Sequence, residues 1–143
     1  MLQISNATRL MSGIALIGVP SIEFGGAFLL KMLRTRQAGY MDNPIRQNLF
    51  RAGHAHAGVL LILSLICQVL VDSIALPEAL AWFVRIGVPA TAILMPLGFF
   101  LSVGPPRSER PNGAIRLVYV GAVILAVSVL ILGVGLVRAG ISG

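Results

Sequence analysis

The sequence predicts an all-α fold, an antiparallel four-helix transmembrane bundle in a single membrane domain. Of its 143 residues 57% are hydrophobic and 11% are charged, whereas a soluble domain carries about a quarter charged residues. Four continuous apolar runs each reach the roughly 20 residues that a helix needs to cross the hydrocarbon core. Transmembrane β-strands would be shorter and would alternate in polarity. The predicted spans are residues 10–33, 50–71, 81–103 and 114–137.

The first apolar run is predicted to remain as a permanent span. It is longer than a typical signal-peptide core, it contains Glu23, and no clear small-residue cleavage site follows it. The single cysteine, Cys67, lies within the second run and excludes an intrachain disulfide framework.

The connections between the spans are short and carry helix-start and helix-stop residues. Asn43 and Pro44 predict that the second helix begins before its apolar run. Pro77 is placed to start the third helix, and "GPPRSERPNG" (104–113) enforces a chain reversal. Short links of this kind make consecutive helices antiparallel neighbours.

The net charge of +6 is distributed unevenly between the two ends of the predicted bundle. Eight of the 11 lysines and arginines flank the first and third connections, and only Arg9, Arg85 and Arg138 lie at the opposite end. The positive-inside rule then places those connections in the cytoplasm and both termini outside a bacterial cytoplasmic membrane. This topology accounts for the basic excess, so no nucleic-acid partner is expected.

Glu23 is the residue that a lipid environment should tolerate least. It lies about ten residues from either end of its predicted span, where an ionisable group costs at least a few kcal/mol and normally faces protein or water. We therefore expect it to face the bundle interior. A protonated carboxyl bonded to a neighbouring helix, a proton relay and a partner for a cationic or metal-bound group are all compatible with this position.

The second span carries most of its polar groups at alternating spacings of four and three residues, which places them on one helix face. This face is predicted to look into the bundle, and together with Glu23 it offers a polar path of Arg51, Gln68 and Asp72. The members of the stripe are Gln47, Arg51, His54, Gly58, Leu61, Leu65, Gln68 and Asp72.

His54 and His56 are the only histidines in the chain. Two residues along a helix turn a side chain by about 200°, so the two rings should point in nearly opposite directions and should not chelate one ion. Haem iron takes axial imidazoles, and a greasy bundle with small neighbouring residues suits its macrocycle. We therefore predict His54, and second His56, as ligands of haem b, with Met95 as a possible sixth ligand. Alternatively, the histidines bond to neighbouring carbonyls and the small residues serve helix packing.

The segment "GHAHAGVLLIL" (53–63) resembles the His-x-His helices of the haem–copper oxidase superfamily and of NnrS-type haem and copper membrane proteins. The resemblance covers about twenty residues around His54 and His56. It implies haems on opposite sides of the helix and a chain that corresponds to one arc of four helices. The oxidase pattern needs further histidines for copper, so copper is expected only if an oligomer brings several chains together.

The leading interpretation is a haem-binding membrane protein for electron transfer or gas-ligand handling, working as a homo-oligomer, a trimer being one option. The alternatives are a cofactor-free transporter of protons or a small cation, or an accessory subunit of a membrane complex. No phosphate loop, nucleophile elbow or acid–base dyad indicates an enzyme class. Glu23 is also expected to contact His54 directly or through one water and to orient its ring.

Overall fold

A computed structural model describes residues 3–142, and these residues are helical apart from their connections. Four candidate membrane spans are long and apolar enough to cross a bilayer. This confirms the predicted all-α architecture with four apolar helices. The helices of the first, second and fourth spans extend beyond the predicted apolar runs at both ends, and the helix of the third is shifted towards the N-terminus. The helices are α1 (Asn6–Ile17), α2 (Val19–Arg34), α3 (Pro44–Asp72), α4 (Glu78–Leu101) and α5 (Arg116–Ser142), with a 3₁₀ turn at Gly113–Ile115.

Helices α1 and α2 together form the first span, which is interrupted at Gly18. Pro20 has no N–H to donate to the carbonyl of Leu16, so the regular hydrogen-bond ladder cannot continue through this point. The chain instead closes a tighter turn, in which the N–H of Gly18 donates to Ala15 at 3.0 Å. Pro89 and Pro96 lie inside α4, yet α4 continues as one helix.

The predicted start of the second helix is confirmed. The side chain of Asn43 accepts a hydrogen bond from the N–H of Arg46 at 3.1 Å, and Pro44 is the first helical residue. The Nδ2 of Asn43 also donates to the carbonyls of Pro106 and Ser108, both at 2.9 Å. One residue therefore caps α3 and joins the first connection to the third.

The spans pack in chain order as a row. Helix α4 packs against α3 on one side and α5 on the other, and the first span packs mainly on α3. Between residues 3 and 142, the first span and α5 do not touch, so they form the two ends of the row. A core between α3, α4 and α5 is formed by Cys67, Val71, Val84, Val88 and Leu132.

Close contacts at glycines fix which parts of neighbouring helices lie side by side. At Gly25, Gly53 and Gly98, an added Cβ would come within 3.4 Å of an atom on the adjacent helix. The contacts that matter below join Gly25 to His54, Gly53 to Phe100, and Gly98 to Val118. Along the helix axes the bundle has two ends. We call the end that holds residues 35–43 and 102–112 the basic end. The other end, which holds residues 3–5 and 73–77, is the terminal end.

Candidate functional site

A cavity of about 300 Å³ lies between the first span, α3 and α4. Its walls are mostly apolar, and His54 is the ionisable side chain that lines it. Several of the lining side chains are exposed on the outer surface of the row, among them Ile14 at 56% and Ile93 at 62%. The cavity is therefore reached from the surface that faces lipid, between the first span and α4.

His54 is held against the surface of α2 by two glycines. A Cβ at Gly25 would lie 3.4 Å from Nδ1 of His54, and a Cβ at Gly26 would lie 3.3 Å from both Cε1 and Nε2. A side chain longer than a methyl group at either position would compete with the ring for this space. The two adjacent glycines thus make room for the imidazole.

The imidazole of His54 is half-buried and has no hydrogen-bond partner among the described residues. The two serines that line the cavity already donate to their own helices: Ser21 to the carbonyl of Gly18 at 2.6 Å and Ser64 to that of Leu60 at 2.7 Å. An imidazole without a protein partner inside an apolar cavity can bind a ligand atom there.

Each of the two prolines inside α4 leaves a backbone carbonyl of this helix without its usual N–H donor. Pro96 lacks the N–H that would bond to the carbonyl of Ala92, and both residues line the cavity. Pro89 likewise leaves the carbonyl of Arg85 without its usual donor, and Nε2 of Gln68 donates to that carbonyl at 2.9 Å. The side chain of Gln68 thus replaces a missing backbone hydrogen bond.

His56 lies in a different environment, as the 200° rotation between the two histidines predicts. Its ring packs against that of Phe99 of α4, with centroids 4.8 Å apart and the ring planes inclined at 43°. Its Nδ1 lies 2.7 Å from the carbonyl oxygen of Ala52. Because a carbonyl can only accept, this contact assigns the proton to Nδ1 and leaves the lone pair on Nε2 free.

Met95 is not brought to the cavity. It is buried at the interface between α4 and α5, where it packs against Gly121. Within one chain, therefore, Met95 and His54 do not share a site. In the described part of the chain, no group of three or more His, Cys, Asp or Glu side chains is placed to hold a metal ion.

Gln68 and Asp72 belong to a buried polar cluster at the terminal end, which also includes Arg85 and Thr8. The guanidinium of Arg85 pairs with the carboxylate of Asp72, and their side chains are 8% and 6% exposed. Nη1 of Arg85 donates to Thr8 Oγ1 at 2.6 Å and to Gln68 Oε1 at 3.1 Å. The backbone N–H of Ser5 donates to Asp72 at 2.8 Å. The cluster therefore joins α1, α3 and α4.

Sequence reasoning missed Arg85 and Thr8 as members of this cluster, because Arg85 was read only as a charge that sets topology. One signal was available: Arg85 lies four residues inside the predicted third span and needs a buried partner. Asp72, at the end of the antiparallel neighbouring helix, is the acidic residue at a matching depth.

Glu23 and Arg51 are exposed in the single chain, and neither is part of the interior. The expectation that Glu23 faces the bundle interior is therefore wrong within one chain, and no direct hydrogen bond joins it to His54 among the described residues. The packing face of α2 holds Gly25, Gly26 and the buried Leu29 and Met32. Glu23 is turned about 200° from Gly25 and about 60° from Gly26, so it lies beside this face and is exposed. The predicted path of Glu23, Arg51, Gln68 and Asp72 is accordingly divided, with only its last two members buried together.

Comparison with known proteins does not add an identification to this geometry. No protein-family model, no curated protein and no solved structure matches the chain.

Proposed function

We propose that this membrane protein binds an apolar ligand from the bilayer in the cavity beside His54, and that haem b is that ligand. The observation that carries the proposal is the unpartnered imidazole of His54 inside a cavity that opens towards lipid. Binding pockets are mostly apolar, with a few polar groups that orient the ligand. Here the orienting group is the imidazole of His54, and an imidazole is a haem ligand.

The cavity fits haem in chemistry and only in part in size. Its volume of about 300 Å³ is at the lower end of the range for small-molecule pockets. A macrocycle bound at His54 would therefore extend through the opening between the first span and α4, where the lining is apolar and exposed. Bound haem would supply one-electron transfer or reversible binding of a small gas.

The remaining residues define what the chain contributes around this ligand. Gly25 and Gly26 would give the imidazole its place, and the separate position of His56 leaves only one histidine per cavity. His56, with Nε2 free, is the candidate for a second ligand site facing another surface. Copper would need histidines from several copies, because the chain has only two.

The test is an absorption spectrum of the full-length protein, expressed with haem precursor and purified in mild detergent. We expect a Soret band with about one haem per chain, lost in His54→Ala and retained in His56→Ala. Added imidazole should restore the band in His54→Gly, because the free ring can occupy the vacated space. Gly26→Leu should weaken haem binding by displacing the His54 ring.

Gly13→Leu is the matched control, since a Cβ at Gly13 has nothing within 4 Å and the residue lies in the same span. This variant should bind haem like the wild type. A wild-type protein that purifies without a Soret band under haem supply would overturn the haem proposal. A band that survives His54→Ala would overturn the assignment of the ligand.

The competing transport function receives no specific support from the arrangement of polar groups. Gln68 and Asp72 are engaged with Arg85 at the terminal end, and Glu23 lies on the outer surface. If transport were the function, the protein would be colourless and Glu23→Gln would abolish flux into liposomes.

We also propose that the basic end lies in the cytoplasm of a bacterial cell and that both termini lie outside. The distribution of arginines and lysines supports this orientation. Ser108→Cys, in a Cys67→Ala background, should react with a membrane-impermeant thiol reagent only after the membrane is opened. Labelling of Ser108→Cys in intact cells would show that the protein has the opposite orientation.

A further inference from the structure

Glu23 is a carboxyl group exposed on the outer surface of a membrane span. It lies eleven residues before Arg34, the last residue of α2, and no ion pair to it occurs in the part of the chain that the structure describes. A carboxyl group exposed to hydrocarbon is unfavourable by at least a few kcal/mol, and such groups normally face protein or water. Glu23 therefore requires a partner from outside its own chain.

Helix α5, which lies on the opposite side of the row from the first span, carries two groups that could bond to a carboxylate. Arg116 and Tyr119 are both exposed, Tyr119 at 67%. They lie three residues apart, so they share one face of the helix. This face points away from α4, because Gly121 and Ser128 are the α5 residues buried against α4 and Tyr119 is turned about 200° from Gly121.

These groups lie at nearly the same level of the bundle as Glu23. The contacts Gly25–His54, Gly53–Phe100 and Gly98–Val118 connect the levels of the four spans in turn. Glu23 lies two residues, about 3 Å, beyond Gly25 towards the terminal end. Gly53 lies one residue nearer the basic end than His54, and Gly98 lies two residues nearer the terminal end than Phe100, so Val118 is about 1.5 Å beyond Gly25 towards the terminal end. One further residue reaches Tyr119 at the level of Glu23, with Arg116 about one turn nearer the basic end.

Within one chain these groups cannot meet, because the first span and α5 occupy opposite ends of the row and do not touch. We propose that the first span of one copy packs against α5 of the next, with Glu23 bonded to Arg116 and Tyr119 of the neighbour. The contact joins two different surfaces, so it is heterologous, and repeated contacts of this kind close into a ring if the rotation permits.

The composition of the α5 face supports a second helix as the occupant. Ala122, Ala126 and Gly133 follow Tyr119 on the same face, and a Cβ at Gly133 would meet nothing within 4 Å. Small residues let two helices approach closely in a membrane, where interhelical hydrogen bonds also contribute. A lipid acyl chain could cover the same face, yet it would leave the carboxyl of Glu23 without a donor.

Disulfide cross-linking between differently tagged chains tests the contact in native membranes, with Cys67→Ala as background. A chain with Glu23→Cys should cross-link to a chain with Tyr119→Cys, and neither chain should cross-link to itself. Leu130→Cys is the matched control, since it lies on the same exposed surface of α5 but eleven residues, about 16 Å, further along. It should not react with Glu23→Cys.

Charge exchange tests the chemistry of the contact. Glu23→Arg or Arg116→Glu alone should reduce the oligomer to monomer in cross-linking and in detergent-corrected light scattering. The double variant, Glu23→Arg with Arg116→Glu, should restore it. Arg138→Met changes an exposed arginine near the far end of α5 and should leave the oligomer unchanged.

Three results would overturn the proposal: a monomeric wild-type protein, self-linking of Glu23→Cys, or an oligomer that survives Glu23→Arg. Misfolding is recognised separately. Both residues are exposed in the single chain, so Trp82 fluorescence and helical content should be unchanged in every single variant.

Discussion

The buried pair of Arg85 and Asp72 gives the sharpest test of how the first span is held to the rest of the protein. Replacing Asp72 with leucine leaves the guanidinium of Arg85 buried and uncompensated, although Thr8 and Gln68 still accept from it. Breaking a buried ion pair by removing one partner costs about 3–5 kcal/mol. Asp72 is the last residue of α3, near the terminal end, so water can partly reach a stranded charge there. We therefore expect the lower end of that range.

Each variant has its own expected change in the free energy of unfolding. Asp72→Leu should lower the free energy of unfolding by about 3 kcal/mol, roughly a hundredfold in the equilibrium constant. Arg85→Met should cost a similar amount, because Asp72 loses its cation and keeps only neutral donors from Ser5 and Thr8. The double variant leaves neither charge buried, so it should be less destabilised than either single variant.

The assay is reversible unfolding in mixed micelles, where sodium dodecyl sulfate is the denaturant and Trp82, the single tryptophan, is the fluorescent probe. Arg138→Met is the control, since this exposed arginine should change stability by no more than about 0.5 kcal/mol. The reasoning is refuted if either single variant costs less than about 1 kcal/mol. It is also refuted if the double variant costs the sum of the two.

Three further predictions concern packing and hydrogen bonds. Gly87→Ala should destabilise the protein by about 1–3 kcal/mol, because its Cβ would collide with Oγ of Ser128. Gly140→Ala, which meets open space, should be neutral or slightly stabilising in the same assay. Gln68→Leu should lower the free energy of unfolding by about 1–3 kcal/mol, because the carbonyl of Arg85 loses its donor. The cost should be smaller in a Pro89→Ala background, where a backbone N–H can bond to that carbonyl. An equal cost in both backgrounds would contradict the replacement of the missing backbone bond by Gln68. Asn43→Ala should cost roughly 2–3 kcal/mol and speed amide exchange in the first turn of α3, since it loses a helix cap and two bonds to the third connection; unchanged exchange would count against it.

The sequence alone determined the class of protein and the number of its apolar helices. Hydrocarbon offers no hydrogen-bond partners, so an apolar run of this length has to be helical, and the composition reveals it directly. Local rules also sufficed for the start of α3 at Asn43 and Pro44, because capping depends on neighbouring residues only. The opposed directions of His54 and His56 followed from helix geometry in the same way.

Only the tertiary structure decided which polar residues meet. The stripe on α3 gave the relative directions of Arg51, Gln68 and Asp72, and yet Arg51 is exposed while the other two are buried with Arg85. A helical pattern gives angles between side chains, but the packing of the neighbouring helix sets which of those angles faces protein. For Glu23 the decision came from Gly25 and Gly26, which turn α2 so that His54 approaches the glycines and the carboxyl faces outwards. In a row of four spans each end helix keeps an uncovered side, and no periodicity within one helix identifies that side.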